Sequence, residues 1–191
     1  MKREPRRSAY AKNDDPNYYD YIVKPKVKGK LLVKRLLFIL AYIAFAVAFS
    51  AVCFAIKFIP LMCLVLVLTL VVIFFTWRYV NPEYVYSLER SNISFSIIYG
   101  GLTRKDLFTY HIKDIEKIAP YSGEYKAEAD GITDAERVYH ISSMDAYDIY
   151  YIYATGEDGK KRLVFFEATE QSKKLLRYYN DKTVILKQSY L

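Results

Sequence analysis

Apolar and polar positions divide the 191-residue chain into three regions. Residues 1–35 are polar, proline-broken and without period, and read as a mostly disordered arm. From Leu36 to Ile56 there are 21 residues without a charge, and from Phe58 to Trp77 another 20. Lys57 alone separates the two runs. One helix through both would be roughly 63 Å long, about twice the hydrocarbon thickness of a bilayer. It would also bury Lys57 at its centre, where a lysine costs about 2.5–3.5 kcal/mol. Two transmembrane helices, 36–56 and 59–78, with a tight turn at Lys57, avoid both problems. Pro60 suits the first turn of the second helix, where its missing N–H is not needed. Lys57 then snorkels into one interface, while Trp77 and Arg78 anchor the other.

The pattern changes after Arg78. In EYVYSLE (83–89) and NISFSIIY (92–99) apolar residues alternate with polar ones, which predicts strands. On the second, Ile93, Phe95, Ile97 and Tyr99 share a face opposite Ser94 and Ser96. Gly100-Gly101 reads as a hairpin turn. RKDLFTYHI and KDIEKIAPY continue as strands, and 121–135 reads as a loop with a short helix near 133–139. DIYYIYA (148–154) and KRLVFFEA (161–168) flank a turn. TEQSKKLLRYYN predicts a closing helix capped by Thr169, with Leu175, Leu176 and Tyr179 on its apolar face and Lys173 on its solvated side.

Charge adds orientation. Residues 1–35 hold eleven Lys/Arg and four acids, whereas 79–191 hold fifteen basic and seventeen acidic residues. Positive charge flanking a span stays cytoplasmic, so both termini are expected there and the protein in the cell membrane as a multi-pass chain. Lys24, Lys26, Lys28, Lys30, Lys34 and Arg35 press against the bilayer and attract anionic lipid at about 1 kcal/mol each. The tyrosines of YYDY (Tyr18, Tyr19, Tyr21) either sit at this interface or dock on the folded domain. In the first span Ala41, Ala44, Ala48, Ala51 and Ala55 recur every three and four residues, a seam that lets a neighbouring helix approach closely. A tight turn directs that seam at the second helix of the same chain; a homodimer is the rival.

The segments NISFSIIYGG, TYHIKDIEKI and RLVFFEATEQSKKLL together resemble the bacterial pleckstrin-homology-like fold, a bent antiparallel sheet or partly open barrel plugged by a C-terminal helix. With the preceding helices, the chain resembles uncharacterised bacterial two-helix membrane proteins carrying such a domain. The resemblance implies an α+β domain over 79–191 and an interaction role. It also suggests phosphoinositide binding, for which Arg90, Arg104 and Lys105 are the basic residues at hand.

Catalytic chemistry finds little support. Cys53 and Cys63 are too few for a disulfide framework or a four-cysteine zinc site. His111 and His140 stand in no metal-ligand spacing, and neither a nucleotide-binding loop nor a nucleophile elbow occurs. His140, Ser142, Ser143 and Asp145 lie too close in sequence for a triad. The net-negative folded domain argues against nucleic acid. The expectation is a non-enzymatic membrane protein, without cofactor or metal, that presents its domain to a protein partner; an anionic-lipid sensor is the alternative.

Overall fold

The computed structural model describes residues 6–7, 18–26, 29–57, 61–101, 103–146 and 148–187. The chain forms two compact units: a sheet unit (1–25, 83–98 and 104–191) and a helical unit (26–82 and 99–103). The elements in order are β1 (Arg6–Arg7), β2 (Tyr18–Val23), α1 (Lys30–Ala55), α2 (Leu61–Trp77), β3 (Pro82–Glu89), β4 (Asn92–Tyr99), β5 (Thr103–His111), β6 (Lys117–Pro120), α3 (Glu124–Gly131), β7 (Glu136–His140), β8 (Ile149–Thr155), β9 (Lys161–Glu167) and α4 (Glu170–Tyr179).

In the sheet unit β1 to β5 lie in sequential order in one sheet, and a second sheet runs β6-β8-β9-β7. The main core collects Tyr86, Leu88, Ile93 and Phe95 from the first sheet, Ile118, Ile152, Val164 and Phe166 from the second, and Leu176 of α4. The second sheet is covered on both faces. Its alternation sends Tyr150 and Ile152 into the main core and Tyr151 into a second core with Leu163, Phe165 and Ala129 of α3. This double burial explains why DIYYIYA and KRLVFFEA are apolar nearly throughout. α4 begins as its sequence requires. Thr169 Oγ1 accepts from Ser172 N at 3.1 Å, and Ser172 Oγ accepts from Thr169 N at 2.8 Å, a reciprocal cap. Gly100 and Gly101 turn the β4–β5 connection with φ of 59° and 71°, which only glycine adopts without strain.

Several expectations need correction. The arm is not simply disordered: Tyr18–Val23 pairs antiparallel with β3, Tyr21 opposite Tyr86 and Val23 opposite Tyr84. Tyr21 and Val23 are buried, and the Tyr21 ring stacks on Tyr86 at 5.1 Å, so YYDY docks on the sheet. The folded domain therefore does not begin at residue 79, and the first helix starts at Lys30 rather than 36. The expected loop at 121–135 contains α3, and the helix expected near 133–139 is replaced by β7, which runs parallel to β9 and so departs from an all-antiparallel sheet. In β4 the alternation slips after Phe95, so that Ser96 and Ile98 are buried while Ile97 is half-exposed. Lys173 is not on a solvated side; it is 3% exposed and paired with Asp148.

Candidate membrane interface

Within the helical unit the start of α1 meets the end of α2. Lys34 Nζ donates to the carbonyl of Tyr79 at 3.2 Å, and the Arg35 guanidinium bonds the Asn81 side chain. Two turns past Arg35 on α1, and at the end of α2, the Tyr42 and Thr76 hydroxyls share a hydrogen bond of 2.6 Å. Arg78 Nη2 donates to Tyr79 Oη at 3.0 Å, its guanidinium lies 4.9 Å from the Tyr79 ring centre, and that ring lies 5.6 Å from Tyr99. Gly100 makes room for this packing, since a Cβ there would stand 2.5 Å from Arg78 Cβ. The result is a collar of cations and aromatic rings, with Trp77 next to it. Such rings settle at the headgroup level of a bilayer.

Two collar donors are left over. The Nε–H groups of Arg35 and Arg78 are shut off from solvent without a hydrogen-bond partner among the described residues. A buried unsatisfied donor costs about 1–3 kcal/mol, more when charged. Beyond the collar, Ile39, Tyr42, Ile43 and Ala46 of α1 and Thr69, Ile73 and Trp77 of α2 line an open groove of about 440 Å3.

Away from the groove the helices face outward with large apolar side chains. Leu37, Phe54, Leu66 and Phe74 are 62%, 76%, 66% and 75% exposed. Leu31–Ala55 is long and apolar enough to cross a membrane. α2 has 17 residues, a rise of about 25 Å. Lys57 stands exposed in the turn after α1, with φ of 57°. The alanine seam is reversed. Ala41, Ala44, Ala48, Ala51 and Ala55 are all exposed, whereas Cys53 is fully buried and Tyr42, Ala46, Phe49 and Ser50 are half-buried. Side-chain size is a poor guide to the facing surface here because the inward face of α1 mixes aromatic, small and polar residues.

The charge of the chain is sorted between the units. The helical unit contains Lys26, Lys28, Lys30, Lys34, Arg35, Lys57 and Arg78 and no Asp or Glu, while the sheet unit contains 21 basic and 21 acidic residues. The entire net charge of +7 therefore belongs to the helical unit.

The basic residues expected at a lipid surface divide in the same way. Lys34 and Arg35 join the collar. Lys24 pairs with Glu83 at 2.7 Å with its side chain 75% exposed, and Lys26 is exposed. Lys30 opens α1, and Lys28 lies outside the described residues. Arg104 is turned to internal use: it bonds Asp20 and Asp106 at 3.1 Å each, Ser87 at 3.0 Å and Ser96 at 3.2 Å, tying four strands of the first sheet together. Lys105 is exposed beside it.

His140 and Asp148 are buried inside the sheet unit. The His140 ring lies among Tyr84, Phe95 and Phe108, at 4.9, 5.2 and 6.0 Å. Burial lowers its pKa to about 4. Glu167 binds Ser142 N and Ser143 Oγ binds Asp145 N, so these residues build turns rather than a triad around His140. Asp148, 6% exposed, receives Lys173 at 2.6 Å and Lys187 at 2.7 Å. Burial pushes its carboxyl up, but the two lysines more than reverse this and hold it below the usual carboxylate range. Among the described residues no group of three or more metal-ligating side chains occurs. The sequence reading missed Asp148 and Lys173 because a lysine three residues from a glutamate on a helix is also the pattern of a solvated pair.

The model of the family described as Bacterial PH-like domain (DUF6106) matches residues 15–186. No curated protein and no solved structure matches the chain.

Proposed function

Because this chain belongs to the bacterial PH-like family, a fold suited to binding lipids or proteins, we propose that it is a non-enzymatic membrane protein that displays its sheet unit to a protein partner at the cytoplasmic face. In this reading α1 and α2 each cross the bilayer, and only the Lys57 turn reaches the far side. One observation carries it. β2 precedes α1, β3 follows α2, and the two strands pair along their length, with Val23 opposite Tyr84. Strands in one sheet lie on one side of a membrane. A single crossing by α1 would separate them, so the helices cross together or not at all. The outward apolar surface of both helices and the collar at their shared end favour crossing. The excess of Lys and Arg before α1 favours a cytoplasmic location for that end.

The test is cysteine labelling in whole cells, with Cys53 and Cys63 first replaced by serine. Lys57→Cys is expected to react with an impermeant maleimide from outside, and Asp181→Cys in the sheet unit only after permeabilisation. Protection of Lys57→Cys in intact cells, or labelling of Asp181→Cys, overturns the arrangement.

A further inference from the structure

We propose that the outer edge of β6 is a docking site for an extended segment of a partner protein, apolar and ending in a lysine or arginine, and that the chain's own residues 183–187 fill it until that segment displaces them. The inference rests on the protein-partner reading above and names the edge and the kind of sequence it takes. After α4 the chain turns through Asp181, Lys182 and Thr183 and runs beside β6, with Val184 in a parallel bridge to Ile118. Two main-chain bonds hold it there. Ile118 N donates to the Thr183 carbonyl at 3.0 Å, and Ile185 N donates to the Ile118 carbonyl at 2.8 Å. The side chains alternate as in a strand. Val184 and Leu186 pack on the main core, and Ile185 packs on the second. Next to Leu186, Lys187 Nζ reaches Asp148 at 2.7 Å. The tail thus displays the chemistry that the edge accepts: an apolar residue at the Val184 position, another two residues on, and then a cation.

The hold is short. Pro120, which points to the same side of β6 as Ile118, has no N–H, and its carbonyl already accepts from Ser122 N at 2.9 Å. The edge therefore offers an added strand only the N–H and C=O of Ile118. By contrast, β8 and β9 pair over seven residues each. The tail is also an imperfect fit, because Thr183 Oγ1 is shut off from solvent without a hydrogen-bond partner among the described residues. Its departure leaves Asp148 with Lys173 at 2.6 Å, so the buried carboxylate keeps one cation and an incoming segment supplies the other. Main-chain bonding on both sides of one residue selects a polypeptide in extended form. Asp148 selects a basic end over an acidic one.

The chain supplies its own probe, a fluorescein-labelled peptide copying residues 181–187. Full-length protein in detergent would be titrated with it while polarisation is followed. The tethered tail competes at an effective concentration on the order of 1 mM, so half-saturation of the unaltered protein is expected near that value. In Lys187→Glu, whose tail Asp148 repels, half-saturation is expected at a concentration about tenfold lower. Against that variant, the same peptide carrying Val184→Asp or Lys187→Glu is expected to bind at least about tenfold more weakly. Hydrogen exchange reads the tail in the unaltered protein, where 183–187 is expected to exchange at least about 100-fold faster than β8. Equal affinity of the peptide for the two proteins, or of the three peptides for the variant, overturns the site. Protection of 183–187 equal to that of β8 makes the tail a permanent strand and overturns it too. A dimer in light scattering that the peptide dissociates shows the tail of a second copy as the occupant, which also overturns the proposal. None of these results touches the membrane arrangement, which Lys57→Cys labelling reads separately.

Discussion

Lys173 in the sheet unit and Lys34 in the helical unit meet opposite partners. Lys173 is 3% exposed and sits between Asp148 and Glu170, at 2.6 and 2.8 Å. Lys34 is exposed and reaches a backbone carbonyl, in a unit that contains no acid. The same contrast holds throughout each unit. The sheet unit balances its charges and spends many of them on internal links such as Arg104–Asp20 and Arg162–Asp158. The helical unit has unbalanced charge at its ends and unburied apolar surface between them. A region whose charges are satisfied internally is built to hold its shape. A region with seven cations, no acid of its own and bare leucines and phenylalanines is what the proposed membrane location would use, with anionic lipid facing the cations and hydrocarbon the apolar side chains.

The largest blow to this contrast would be to show that the arm belongs to neither unit. Deleting residues 18–23 removes Tyr21 and Val23 from the core and Asp20 from Arg104. The loss is expected to reach or exceed about 5 kcal/mol, comparable with the whole stability of a typical domain. Limited proteolysis of the full chain in detergent is the measurement, and an unchanged protease-resistant core would show that β2 is an ornament.

Next comes the lysine pair itself. Lys173→Ala leaves a buried carboxylate with one cation fewer and is expected to cost about 3–5 kcal/mol. Lys34→Ala is expected to change stability by less than about 0.5 kcal/mol. Thermal unfolding of the two variants in the same detergent compares them directly, and similar losses would erase the distinction between internal and external partners.

Acid probes the sheet unit through His140. Its pKa is lowered by burial from 6.5 to about 4. Between those values the unfolded chain binds a proton that the folded one does not. The stability His140 contributes is therefore complete above pH 6.5 and is lost as pH falls toward 4, by about 3 kcal/mol in all. Asp148 acts lower: its depressed carboxyl contributes stability above the ordinary carboxylate pKa, and this is lost only at more acid pH. His140→Phe is expected to flatten the upper window in a denaturation series from pH 7 to 4. A slope that survives the substitution would assign it to another group.

The smallest effect separates the two faces of α1. Ala48→Leu lies on the exposed seam and is expected to shift stability by less than about 0.5 kcal/mol. Ala46→Leu intrudes on the groove wall and is expected to cost about 1–3 kcal/mol. Equal costs would return the alanine seam to the helix–helix contact.

Local signals in the sequence were read well and distant ones poorly. The break at Lys57, the Gly100-Gly101 turn and the Thr169 cap each depend on residues a few positions apart. β2 was missed because its composition is that of an arm, and its partner strand begins about 60 residues later. α3 was legible in principle, since EYKAEAD is rich in helix formers after Gly123. β7 was not, because ERVYH becomes a strand by lying along β9. The collar was half visible. Lys34, Arg35, Trp77 and Arg78 stood out as interface residues, but which of their donors go unmet depends on packing that no spacing encodes.

The pairing of β2 with β3 also sets an order of events during synthesis. β2 leaves the ribosome about 60 residues ahead of the strand it needs, roughly 3–12 s at 5–20 residues per second. In that interval α1 and α2 are made and, on the proposed arrangement, inserted. If α2 fails to cross, the two strands end on opposite faces of the membrane. Asp20 then never meets Arg104, the first sheet stays open at β3, and the exposed edge marks the chain for proteolysis or aggregation. On the proposed two-crossing arrangement, only a chain threaded through both helices can close its first sheet.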